Sequence, residues 1–297
     1  MQEILARILP IIALFALGYI LNRLSVFNSS SADAFLKLIF YVSTPALILY
    51  SITGIELTKS YLYLAMLPVC VTAVIAIVSF ILIRILKLER KKAGVFLVGT
   101  MIMNTVFTFP LIFAGLGQEG LARILLFDFG NAIIVFSLVY YIACRYGEVS
   151  KNKLAMLKKI AFSPPLWALL IAITLNLLNV KLPETASALF QTAGSITFPL
   201  VMISLGIYFT PKIANYRLLL LAIAVRMGLG MLLGLLFAYL FNLQGLDRII
   251  ALIGASAPIG YTTLTYSSLE NLDKEFAASI ISFSILIGFV LVPLLMM

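Results

Sequence analysis

Long apolar runs, separated by short polar stretches, fill almost the whole chain. A helix needs about 20 mostly apolar residues to cross the hydrocarbon core of a bilayer. The runs lack the period-two alternation of barrel strands, which favours helices. The pattern therefore predicts an all-α polytopic membrane protein with ten transmembrane helices, called spans 1 to 10 in chain order, at residues 4–22, 34–53, 61–86, 93–115, 121–144, 162–180, 186–209, 216–242, 247–269 and 275–297.

Composition narrows the class of protein. Of the 297 residues, 63% are hydrophobic and 11% are charged, whereas soluble domains are about 45–50% apolar and about 25% charged. This excludes a water-soluble enzyme, a disordered protein and a nucleic-acid binder. The chain has no histidine, which excludes histidine metal sites and histidine proton relays. The net charge of +9 is typical of cytoplasmic loops that lie beside anionic membrane lipid.

The distribution of basic residues predicts the orientation. Fifteen of the 21 lysines and arginines fall on the side that carries the loops after spans 3 and 5, and five fall on the other side. The basic side is normally cytoplasmic. Residues 84–92 and 145–160 are therefore expected in the cytoplasm, and the N- and C-termini are expected outside the plasma membrane.

The two halves of the chain resemble each other at an offset of 154 residues. Residues 1–145 and 162–297 would each hold five spans, joined by a short basic cytoplasmic link at 146–161. An odd number of spans places two such repeats upside down relative to one another, as in many secondary transporters. The positions that coincide are Pro10 with Pro164, Asn22 with Asn176, Pro45 with Pro199, and Asn104 with Pro258.

Spans 4 and 9 each carry proline and polar residues near their middle. Proline removes a backbone donor and kinks or opens a helix, and an open backbone in a membrane is tolerated only against protein or a wet cavity. Two broken helices in corresponding places would cross and point their N-termini at an anion; a pair of ordinary proline kinks is the alternative. The substrate-binding candidates are Asn104, Thr105, Pro110, Ser256, Pro258, Gly260, Thr262 and Thr263.

Two charged residues lie deep within predicted spans, where charge is costly and commonly functional. Asp128 is the candidate for ion coupling, either by carrying a proton or by binding sodium, and Asn131 shares its helix face. Arg226 is the candidate charge partner of Asp128 or of an anionic substrate; bracing of the helix bundle is the alternative.

Over its whole length the sequence resembles the auxin efflux carrier family, whose bacterial members are often called malate permeases. The resemblance rests on Leu9-Pro10, on residues 16–19 and 40–46, on Asn104-Thr105 with Phe109-Pro110, and on Ala257-Pro258. It implies a fold similar to bile-acid/sodium symporters, with crossed helices at Asn104, Pro110 and Pro258. It also implies a scaffold of spans 1, 2, 6 and 7, against which spans 3–5 and 8–10 move like an elevator. Many relatives have a glycine-rich stretch where this chain has Val106-Phe107-Thr108, so the resemblance does not transfer a substrate.

The function predicted from the sequence is secondary transport of a small organic anion, such as a carboxylate or an auxin-like acid. No cofactor is expected. Coupling to sodium or to protons is left open, and so is assembly as a homodimer. A sodium/organic-acid symporter is the alternative, and a channel is less well supported because no ring of charge is readable. An enzyme is not expected, since the sequence offers no reactive constellation.

Overall fold

The computed structural model describes residues 2–55, 59–147 and 162–297. Over these residues helix is the only regular secondary structure, apart from one isolated bridge between Met103 and Ile259. We number the helices α1 (Gln2–Arg23), α2 (Ser29–Thr53), α3 (Lys59–Ile85), α4 (Arg90–Met101), α5 (Thr105–Tyr146), α6 (Pro164–Leu177), α7 (Glu184–Tyr208), α8 (Tyr216–Leu240), α9 (Gly245–Ala255), α10 (Thr262–Leu269) and α11 (Lys274–Leu295).

Seven of these helices are long and apolar enough to cross a membrane: α1, α2, α3, α5, α7, α8 and α11. The predicted count of ten differs because three predicted spans do not form one long helix each. Span 4 is divided between α4 and the start of α5, and span 9 between α9 and α10. Span 6 corresponds to α6, which has 14 residues. The ten-span count and the inverted repeat stay predictions.

The surface of the helix bundle is strongly apolar. Large hydrophobic side chains such as Tyr239, Phe162 and Leu177 are 83%, 75% and 68% exposed. In the long helices at most about half of each apolar stretch is buried inside the protein, between 17% and 56%. Apolar surface on this scale is unfavourable in water. The chain is therefore a membrane protein whose outer helix faces contact lipid.

Several helices start where a polar side chain replaces a missing backbone partner. An Asn or Asp at the N-cap accepts a hydrogen bond from the main-chain N–H three residues further on, which stabilises the first turn. This arrangement begins α2, α5, α8 and α11, at Asn28, Asn104, Asn215 and Asp273. Of these four caps Asn104 is the buried one, at 2% exposed, so it starts α5 inside the protein.

A sharp turn divides α5 near its middle. Gly117 has φ 67° and ψ −161°, a left-handed conformation that strongly favours glycine. The turn falls between predicted spans 4 and 5, which were placed at 93–115 and 121–144. The helix is therefore interrupted at Gly117, and residues on either side of it belong to different predicted spans.

The helices pack in two groups. In one group α1 lies along α7, while α2 packs against α6 and α7. The backbones of α1 and α7 touch, since a Cβ added at Gly18 would lie 2.2 Å from the carbonyl oxygen of Ile203. In the other group α3, α4, α5, α8 and α9 pack on one another. Most of the predicted basic link, residues 148–161, lies outside the described residues.

Candidate functional site

The backbone leaves the helical conformation at two places that touch each other. Residues 102–104 separate α4 from α5, and residues 256–261 separate α9 from α10. The two segments run antiparallel and bridge at Met103 and Ile259. The N–H of Asn104 donates to the carbonyl of Pro258 over 2.8 Å, and the N–H of Gly260 donates to the carbonyl of Ile102 over 3.2 Å. We call this pair of segments the crossing.

Side chains satisfy the remaining backbone groups of the crossing. The Asn131 amide pairs with both main-chain groups of Met103: its Nδ2 donates to the carbonyl over 3.1 Å, and its Oδ1 accepts from the N–H over 3.4 Å. The N–H of Ile259 donates to the Ser284 hydroxyl over 3.0 Å. Buried main-chain groups left without a partner are costly. The Asn131 side chain thus provides the two hydrogen bonds that a neighbouring strand would otherwise give to Met103. Its position on the helix did not predict this role.

Asp128 lies beside the start of α5. Its Oδ1 accepts hydrogen bonds from the Thr105 hydroxyl and, over 3.0 Å, from Asn131 Nδ2. Thr105 and Asn131 are almost fully buried, at 1% and 4% exposed. A carboxylate next to a helix N-terminus is favoured by the helix dipole. Asp128 and Asn131, which the sequence placed on one helix face, are thus hydrogen-bonded to each other. Thr105 joins Asp128 to the crossing.

A cavity of about 120 Å³ lies against the crossing and Asp128. Asn104 and Thr105 line it at the start of α5, Gly260 in the crossing, and Thr262 at the start of α10. Asp128 and Asn131 line it on the later part of α5. Six of the predicted site residues thus surround one space. The N-terminal ends of α5 and α10 both reach this cavity, which is the arrangement that the two broken spans suggested.

Most of the cavity wall is apolar and was not predicted. It is formed by residues of α2, by the first turns of α6 and by aromatic side chains. Nothing in the sequence distinguishes these apolar residues from those that face lipid. Two π-helical turns, at Ile39–Ser43 and Val135–Val139, contribute to it, and such turns are frequent at functional sites. The unpredicted lining residues include Ile39, Phe40, Phe129, Phe136, Leu166, Leu169 and Tyr261.

Four predicted binding residues do not line the cavity. Pro110 lies inside α5, where the helix continues through it. Pro258 is buried in the crossing and accepts from Asn104. The Ser256 hydroxyl donates back to the carbonyl of Leu252 over 2.7 Å, and Thr263 is fully buried.

Arg226 is fully buried within a π-helical turn of α8, at Ala224–Leu229. Its guanidinium donates to the carbonyl of Thr100 over 3.2 Å and to the carbonyl of Ala255. It forms no ion pair with Asp128 or any other acid among the described residues. The structure therefore gives Arg226 main-chain partners in place of the predicted carboxylate.

The fold and the cavity define a class of protein: a polytopic membrane protein with a small internal cavity at the meeting point of two interrupted helices. A family model described as "Membrane transport protein" matches residues 3–296. The chain belongs to this family, which confirms the resemblance to the auxin efflux carriers. In the described part of the chain no group of three His, Cys, Asp or Glu side chains is placed to hold a metal ion.

The chain is also similar over nearly its whole length to two archaeal proteins. It is 27% identical, over 94% of this chain and 95% of the relative, to an uncharacterized transporter of Methanocaldococcus jannaschii. It is 28% identical, over 97% of this chain and 95% of the relative, to an uncharacterized transporter of Methanothermobacter thermautotrophicus. The chain is thus a membrane transporter, and these relatives carry no substrate over to it.

Proposed function

We propose that the protein is a secondary active transporter of a small organic anion, such as a carboxylate, across the plasma membrane. The observation that carries this proposal is the cavity in which the ends of α5 and α10 meet Asp128. The proposal includes ten spans in two inverted repeats, with spans 4 and 9 crossing. It also includes a scaffold of spans 1, 2, 6 and 7 that contains α1, α2, α6 and α7, the helices that pack together as one group.

The start of two helices favours an anion in the cavity. The first N–H groups of a helix have no partner within it, and they carry a partial positive charge. Val106, in the first turn of α5, and Thr262, at the start of α10, line the cavity. A carboxylate placed between these two ends would accept hydrogen bonds from main-chain donors, with Thr262 adding a hydroxyl. The apolar wall would contact the rest of a small organic acid.

Coupling follows from the charges that line the cavity. Among the described residues its lining includes one acid, Asp128, and neither lysine nor arginine. Two negative charges in a small space with mostly apolar walls repel each other strongly. An anion would therefore bind together with a cation, either a proton on Asp128 or a sodium ion held by the oxygens of Asp128 and Thr105. The sodium form is the symporter alternative, and we propose that Asp128 carries the coupling in both.

Counterflow in proteoliposomes tests the proposal. Vesicles preloaded with one unlabelled carboxylate should take up the same labelled compound faster than empty vesicles, and uptake should saturate. Runs with and without a sodium or a proton gradient then identify the coupling ion. Uptake that rises without saturation would contradict a carrier and favour a channel. Absence of counterflow for every carboxylate, beside active transport of a cationic or neutral solute, would contradict the anion.

The predicted orientation has a direct chemical test. With Cys70 and Cys144 replaced by alanine, a cysteine at Lys91 should react with an impermeant thiol reagent only after the cells are permeabilised. A cysteine at Lys181, which lies between α6 and α7, is the matched control and should react in intact cells. The reverse pattern would invert the proposed topology.

In the proposed orientation the cavity lies on the cytoplasmic side of the crossing, beside the first turns of α6, and the outer side is closed. The rings of Phe113 and Phe198 stack there with centroids 4.9 Å apart, and Gln118 Nε2 donates to the Ser51 hydroxyl over 2.9 Å. Both contacts join the proposed scaffold to α5. The arrangement corresponds to an inward-facing state.

A cross-link across this outer contact should stop transport. Cysteines at Ser51 and Gln118, joined by a short bifunctional thiol reagent, would hold α5 against α2 and prevent outward opening. We expect nearly complete loss of counterflow in the cross-linked protein, measured against each single cysteine treated in the same way. Full counterflow after quantitative cross-linking would contradict movement at this contact.

A further inference from the structure

We propose that Arg226 is a positioning residue that holds the crossing together through the C-terminal ends of α4 and α9, and that it does not bind the transported anion. This assigns Arg226 a place in the site beyond the predicted charge partner. Its effect on transport rests on the proposed function, whereas its effect on the crossing does not.

The hydrogen bonds of Arg226 join the two interrupted helices. Thr100 is the next-to-last residue of α4, and Ala255 is the last residue of α9. The last carbonyls of a helix have no partner within it, and in a membrane interior water does not replace one. One guanidinium on α8 therefore satisfies a free carbonyl at each of two helix ends, immediately before each chain enters the crossing.

The charge of Arg226 is also balanced there. Each helix C-terminus carries about half a negative charge, so two ends together offset about one positive charge. This explains how a fully buried arginine exists without an acid among its described contacts. The helices that leave the crossing show the complementary arrangement at their N-terminal ends. The carboxylate of Asp128 lies where α5 begins, and the first residues of α10 line the same cavity.

The surroundings of Arg226 allow this close approach. A Cβ added at Gly230 would lie 2.3 Å from the carbonyl oxygen of Ala255 and 2.6 Å from Arg226 Nη2. Only a glycine lets α8 come this near to the end of α9. The planar guanidinium then reaches two carbonyls at once, whereas the single ammonium of a lysine is a compact point charge with one position.

Cross-linking within the crossing tests the proposal without any substrate. Met103 and Ile259 are opposite each other, and the hydrogen bonds flank them. Such non-hydrogen-bonded pairs have Cα atoms about 4.5 Å apart, within the range of roughly 4.4–6.8 Å that a disulfide needs. Cysteines at both positions, with Cys70 and Cys144 replaced by alanine, should form a disulfide rapidly when an oxidant that crosses the membrane is added.

In this background we expect Arg226→Met to slow disulfide formation about ten-fold or more, the change expected from the loss of one charged hydrogen bond. Arg226→Lys keeps the charge and one contact, so its rate of disulfide formation should lie between those of the parent protein and Arg226→Met. Arg217→Met, which removes an exposed arginine from the same helix, is the matched control and should not change the rate. If Arg226→Met is not monodisperse after purification, Arg226→Lys decides alone. A rate equal to that of the parent protein would overturn the proposal.

Substrate measurements separate this role from anion binding. If Arg226 were a counter-charge for the substrate, Arg226→Met would lose substrate affinity with an unchanged disulfide rate, which would also overturn the proposal. A slower disulfide rate together with absent counterflow in the parent protein would leave the positioning role intact and contradict the proposed function instead.

Discussion

Asp128→Asn is expected to abolish accumulation of substrate against a gradient while exchange of substrate for substrate continues. The amide oxygen still accepts a hydrogen bond from Thr105, so the local geometry is kept. The amide cannot take up and release a proton, however, and it offers no negative charge to a sodium ion. Without a change in charge, binding of the anion is no longer linked to a second ion. Uptake driven by an imposed ion gradient, compared with counterflow in the same vesicles, measures the two activities separately.

Asp273→Asn is the matched control for this result. Asp273 caps α11 by accepting from the N–H of Phe276 over 2.9 Å, and asparagine caps helices equally well. We expect this variant to accumulate substrate like the parent protein. If Asp128→Asn also accumulates substrate normally, Asp128 has a structural role and the coupling proposal is wrong.

Asn131→Leu is expected to lower both stability and substrate affinity by large amounts. Leucine has the same branched set of four side-chain heavy atoms, but it leaves the N–H and the carbonyl of Met103 without their side-chain partner and removes a donor from Asp128. Each buried polar group left unsatisfied costs about 1–3 kcal/mol, so the crossing should lose its fixed geometry. Thermal unfolding of the purified protein and the half-saturating concentration in counterflow measure the two effects.

Asn176→Leu separates stability from binding. Asn176 Nδ2 donates to the carbonyls of Ile52 and Ile55 over 2.8 and 2.6 Å, outside the residues that line the cavity. Its replacement should lower thermal stability without changing the affinity for substrate. An equal loss of affinity in both variants would indicate that Asn131 acts only through general stability.

The sequence predicts the interruptions in this fold because they leave chemical traces. Pro258 has no N–H to continue α9, and Asn104 is a strong N-cap, so both breaks fall near residues that the pattern already marked. Pro110 is absent from the cavity lining: α5 starts at Thr105 and carries that proline inside the helix. A proline shows that a helix is strained but does not show on which side of it the helix opens.

The hydrogen-bond partners of the charged residues inside the bundle depend on contacts between distant parts of the chain. The spacing of apolar residues along the sequence does not predict such contacts. Asp128 and Asn131 are three residues apart, so helical geometry places them on one face. Thr100, Arg226 and Ala255 come from three different helices, and only the packing of α8 between the ends of α4 and α9 brings them together. The apolar lining from α2 and α6 was missed for a related reason: these residues look like any others that face lipid.

Protection of a cysteine at Val106 tests the central claim most directly. Val106 lines the cavity at the start of α5, and the substitution is small. In a protein whose only other cysteine is the control at Lys181, the carboxylate identified by counterflow should slow alkylation at position 106 in proportion to its occupancy. It should leave the rate at position 181 unchanged. Equal alkylation at position 106 with and without saturating substrate would contradict a binding site in this cavity.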